Sequence, residues 1–88
     1  MKTLAETVEL MISDDQKDRL KAEYWQTKIR YDKLHDIIIK ANAGTLDFEL
    51  TYDIAILTGQ ASAMSEYLFF LESRAILEDV NLKSGLWV

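Results

Sequence analysis

A chain of 88 residues with no cysteine, no proline, one histidine and a net charge of −5 is at most one small domain. It excludes a disulfide framework, a thiolate metal site and any site that needs two histidines. It also excludes a general binder of duplex nucleic acid, whose affinity would come from neutralising phosphates with Lys and Arg.

The first twelve residues place Leu4, Val8 and Met11 at helical spacing, with Ile12 beside them. This predicts a short amphipathic arm over 1–12, and Glu6 and Glu9 inside it speak against a signal peptide. SDDQ follows, with Ser13 as the expected N-cap and Gln16 at the capping-box position. Leu20, Tyr24, Thr27, Tyr31, Leu34, Ile38 and Ala41 then recur at alternating steps of four and three. That is a heptad seam, with Lys and Asp/Glu interleaved on the remaining faces as on a solvated helix surface. It predicts a helix over about 13–42, stopped by Asn42 and Gly44.

In TLDFEL (45–50), Leu46, Phe48 and Leu50 alternate as in a strand. With no partner strand, the segment is expected to be an extended connector that plugs one end of a helix pair, with Thr51 or Asp53 capping the next helix. That helix, expected over about 51–82, carries more than one apolar stripe. One holds Ile54, Leu57, Ala61, Met64, Leu68, Leu71, Ala75, Glu78 and Leu82. A second holds Ile56, Gln60, Ala63, Tyr67, Phe70, Arg74 and Leu77. A third holds Phe69, Ile76 and Val80. Gly59, in the small-residue stretch GQASA, either admits the close approach of another helix or is simply tolerated. Leu86, Trp87 and Val88 stand at the end of the sequence.

The expected fold class is therefore all-α. It is an antiparallel hairpin of two long helices (residues 13–88) with a short N-terminal helical arm, which either folds back over part of the second helix or reaches into a neighbour. One partner helix covers one stripe only, so the leftover stripes predict a homo-oligomer built around the second helices, a dimer or higher. No apolar run approaches the ~20 residues of a membrane span, so no membrane partner and a cytoplasmic location are expected.

There is no phosphate-binding glycine loop, no GxSxG, no HExxH and no paired CxxC. The sequence thus predicts no catalytic residues, no metal and no cofactor, and His35 is read as a surface or interface histidine. Aromatics with polar tips and scattered cations are what remains. Tyr24, Tyr31 and Trp25 can stack on a base. Arg30, Lys33 and Arg74 can hold phosphate. The bland alternatives are core packing for the tyrosines, an intersubunit contact for Trp25 and a salt bridge for Arg74.

Residues 17–82 resemble small α-helical accessory proteins of tailed bacteriophages and prophages. The resemblance is carried by Tyr31, Lys33, Leu34, His35 and Ile38, by AGTLDF (43–48), and by Gln60, Met64, Tyr67, Leu68, Leu71, Glu72, Arg74 and Ala75. The family pattern has a proline near the start of the second helix that this chain lacks. By architecture the chain is also similar to oligomeric phage anti-defence proteins that sequester immune signalling nucleotides. The resemblance implies a phage accessory protein in the host cytoplasm. Its function would be to bind a cyclic nucleotide-type signal between subunits without cleaving it. The alternatives are an inhibitor or adaptor acting on a host protein and, further off, a virion component.

Overall fold

The computed structural model describes residues 3–83; Leu86, Trp87 and Val88 lie outside them. All regular structure among the described residues is helical. A 3₁₀ turn at Leu4–Thr7 runs into a short α1 (Val8–Met11), followed by α2 (Gln16–Asn42) and α3 (Ile54–Leu77). TLDFEL is irregular connector rather than strand. Leu50 packs against Ile38, Leu57 and Ala61, whereas Phe48 is more than half exposed, so of these two alternating residues it is Leu50 that plugs that end of the helix pair.

Helix α2 starts later than the sequence predicts. Asp15, not Ser13, is the N-cap, and its carboxylate accepts from Lys17 N at 2.9 Å. Ser13 instead accepts from Asp15 N at 3.1 Å and donates to Asp18 at 2.8 Å. It holds the approach to the helix rather than its first turn. Asp53 caps α3 through Ala55 N at 2.8 Å.

Both long helices end in the same way. After α2, Gly44 has φ +74°. Gly44 N donates to Ala41 O at 3.2 Å and Thr45 N donates to Lys40 O at 2.9 Å. After α3, Asp79 takes φ 54°. Asp79 N donates to Ile76 O at 3.3 Å and Val80 N donates to Ala75 O at 2.7 Å. These are paired 6→1 and 5→2 closures around a left-handed residue. The second one stops α3 at Leu77 rather than near 82. The helix yields because burying Val80 against Ala75 and Leu71 is worth more than one further turn with its side chain in water.

Helices α2 and α3 pack closely along their lengths. Near the start of α2, Leu20 and Tyr24 meet Leu68, Leu71 and Ala75, and Gln16 donates to Glu78 at 3.1 Å. Near its end, Ile38 meets Leu57 and Ala61, and Tyr31 touches both clusters. These are the seam of α2 and the first of the three stripes of α3.

Among the described residues the arm packs on α2 and makes no contact with α3. Thr7 is fully buried, donates to Leu4 O at 2.7 Å and accepts from Gln26 Nε2 at 3.3 Å. Gln26 also reaches the Met11 thioether. Ala22 and Ile29, on the same stripe of α2 as Gln26, are buried. The expectation that the arm shields α3 is thus overturned. Its few apolar side chains match the narrow Ala22–Ile29 stripe, whereas Ile56, Phe69, Phe70, Ile76 and Leu77 of α3 are more than half exposed.

Helix α3 is long and apolar enough to cross a membrane by length and composition, with only 22% of the relevant window buried. Gly, Ser and Gln interrupt its apolar runs without adding charge, so the average passes where no single run does. Its inner stripe, however, lies against α2, which carries Lys28, Asp32, Asp36 and Lys40 in ion pairs along its exposed surface. Inserting α3 with its partner would desolvate those charges at a cost of several kcal/mol.

Candidate functional site

Two clefts form where α2 and α3 diverge. The first, about 420 Å³, lies at the end that carries the tail after α3. It is bounded by Tyr24 and Trp25 from α2, by Glu72, Ala75 and Ile76 from α3, and by the segment from Val80 to Lys83. The turn at Asp79 folds that segment back. Trp25 fixes it there, its indole N–H donating to Leu82 O at 2.8 Å. Tyr24 packs edge-on to Trp25 with centroids 5.1 Å apart, and its hydroxyl donates to Glu72 at 3.4 Å. Burial first, and then the Glu72 carboxylate, push the Tyr24 phenol up to about 12, because both disfavour a phenolate there.

The second cleft, about 540 Å³, lies at mid-length. It is lined by Tyr31, His35 and Ile38 from α2 and by Thr58, Ala61, Ser62, Ser65, Glu66 and Phe69 from α3. One turn of α2 places His35 on Tyr31, with the rings 5.6 Å apart and 25° from parallel. Lys28 Nζ sits 5.7 Å from the Tyr31 centroid, within cation–π range. On the opposite wall Thr58, Ser62 and Ser65 form a ridge one turn apart. Thr58 Oγ1 donates to Ile54 O at 3.0 Å. This wall combines neutral hydroxyl donors and acceptors with an aromatic floor and a single carboxylate, Glu66.

The six residues proposed from sequence are not brought into one place. Tyr24 and Trp25 share the first cleft, but both polar groups are engaged within the chain. Arg74 is half exposed and pairs with Glu78 at 3.3 Å and Glu23 at 3.9 Å. Tyr31 stands in the second cleft. Arg30 and Lys33 are exposed on α2 and make no ion pair among the described residues.

Sequence reasoning passed over the hydroxyl ridge and His35's position on Tyr31. The i, i+4, i+7 placement of Thr58, Ser62 and Ser65 was the available signal for the ridge. No group of three or more His, Cys, Asp or Glu side chains suited to a metal occurs among the described residues.

No curated protein and no solved structure matches the chain. The Sequestin family model does match, over residues 14–77. That span covers the whole of α2, the connector and α3, with every wall of the mid-length cleft, and leaves out the arm. The chain belongs to the Sequestin family, whose name denotes sequestration, a binding role rather than a catalytic one.

Proposed function

We propose that the chain is a phage anti-defence protein that sequesters a cyclic nucleotide-type signal in the host cytoplasm. The fold is an antiparallel hairpin that self-associates through α3, and the ligand pocket is completed between subunits. The observation that carries this reading is the division of labour at the mid-length cleft. Tyr31, His35 and the hydroxyl ridge offer a stacking floor and ribose-type contacts. Arg30 and Lys33, one residue before and two after Tyr31, are unpaired cations in a chain of net charge −5. A single chain leaves these cations outside the cleft walls, so phosphate groups would meet them only where copies abut. The family supports binding without turnover, and sequestration needs affinity alone.

Titrating the protein with cyclic di- and trinucleotides while following thermal unfolding tests this. A ligand at 100 times its Kd stabilises by about 2.7 kcal/mol, a shift of several degrees for a domain this size. Arg30→Ala and Lys33→Ala should each weaken binding about tenfold or more, roughly halving the stabilisation at the same ligand concentration, since a charge-assisted bond is worth ~1.5–3 kcal/mol. No shift with any nucleotide would move the reading to the protein-binding alternative.

A further inference from the structure

Glu66 is the first charged residue of α3, since none of the residues from Ile54 to Ser65 carries a charge. It stands one turn after Ser62 and next to Ser65, and all three line the mid-length cleft across from Tyr31 and His35. The other carboxylates of α3 are engaged. Glu72 accepts from the Tyr24 hydroxyl. Glu78 accepts from Gln16 and pairs with Arg74. On α2, Asp32 and Asp36 are paired with Lys28 and Lys40. Glu66 makes no hydrogen bond or ion pair among the described residues, and the hydroxyls of Ser62 and Ser65 make none either.

An ionised carboxylate only accepts hydrogen bonds, and it repels phosphate. Whatever part of a nucleotide sits against Glu66 must therefore be an uncharged donor. A carboxylate holding a ribose hydroxyl is a recurrent solution in nucleotide sites. The serine hydroxyls beside Glu66 both donate and accept, so they match further sugar oxygens. The same repulsion keeps phosphates out of the cleft, which agrees with Arg30 and Lys33 standing outside its walls.

From this we infer that Glu66 is the specificity-determining residue of the mid-length cleft. It accepts from the ribose hydroxyl that deoxyribose lacks, so the cleft takes ribonucleotides and discriminates against their deoxyribose counterparts. The inference rests on the nucleotide-binding reading above and names the sugar that reading requires. At about 540 Å³ the cleft has room for a base and its sugar.

Isothermal titration calorimetry on the full chain tests this, with cyclic di-AMP and cyclic di-GMP each run beside its deoxyribose counterpart. A ribose form that binds should do so at least about tenfold more tightly than its counterpart, because the counterpart loses a hydrogen bond to a charged group. Glu66→Gln keeps an acceptor oxygen without the charge and should shrink that ratio. Glu66→Ala keeps neither and should nearly abolish it. Affinity for the deoxyribose forms should hold or rise in both variants, since a charge that repels phosphate has gone. Glu66 is exposed, so both variants should keep the helical circular dichroism.

Equal binding of ribose and deoxyribose forms by the unaltered chain would overturn the role of Glu66 and leave nucleotide binding standing. A ribose preference that survives Glu66→Ala intact would do the same, and would pass the donor's partner to another group of the cleft. Tighter binding of both forms to Glu66→Ala, by the same factor, would reduce the carboxylate to a repulsive charge and overturn the inference as well. Binding of none of the four probes would remove the nucleotide reading and this inference together.

Discussion

Both the inner and the outer side of α3 carry large apolar side chains, and they differ in what they touch. On the inner side, Leu68, Leu71 and Ala75 are 5%, 0% and 2% exposed. On the outer side, Phe70 and Leu77 are one or two residues away in sequence and more than half in water. An ordinary surface helix has one greasy stripe and one polar one. A helix greasy on both has either a second partner or an unusually costly surface.

The sharpest way to break this comparison is to shorten one side chain on each side. Leu71→Ala should lose about 2–5 kcal/mol of unfolding free energy in urea, the range for a wholly buried leucine. Phe70→Ala, measured on the dissociated chain, should lose less than about 0.5 kcal/mol. Comparable losses would mean that the outer stripe is packed within a single chain.

The buried tyrosine gives the next largest effect. Tyr24 has its phenol raised to about 12, against about 10 in an unfolded chain. Below pH 10 it is neutral in both states and its contribution is fully present. From pH 10 upward the unfolded state ionises first, so stability falls until the folded phenol itself ionises near 12. The loss should be on the order of 2 kcal/mol, and Tyr24→Phe should flatten that alkaline limb.

Trp25→Phe should cost about 1 kcal/mol, the worth of one hydrogen bond, here the bond to Leu82 O. The loss should be accompanied by faster amide exchange at Val80–Leu82. Smallest is a gain. Asp79 holds φ 54°, which a glycine adopts without steric cost. Asp79→Gly should therefore raise stability by about 0.5 kcal/mol, visible as a higher thermal midpoint.

The same comparison explains what was legible beforehand. The seam of α2 stood out because Leu20, Tyr24, Tyr31, Leu34 and Ile38 are apolar against a charged background. Helix α3 has no such background, so periodicity alone does not say which of its stripes meets α2. The stop after Leu77 was hidden because Asp79, unlike Gly44, is not a residue that announces a left-handed turn. Burial of Val80 and the Trp25–Leu82 bond, both distant in sequence from what they hold, decide it. The arm was legible as a helix but not as a partner of α2, because Thr7 and Gln26 seal it through polar contacts that hydrophobic spacing does not reveal. At the candidate site, Tyr31 was found from its aromatic character. The serines opposite it escaped notice because hydroxyls matter there only for the wall they share.

Light scattering across a gel-filtration peak, repeated over a hundredfold dilution, tests the outer face of α3 most directly. Helical pairing through that face predicts a mass at a multiple of the 10.2 kDa chain that falls on dilution and falls sooner for Phe70→Ala. A folded species of single-chain mass at every concentration would contradict it.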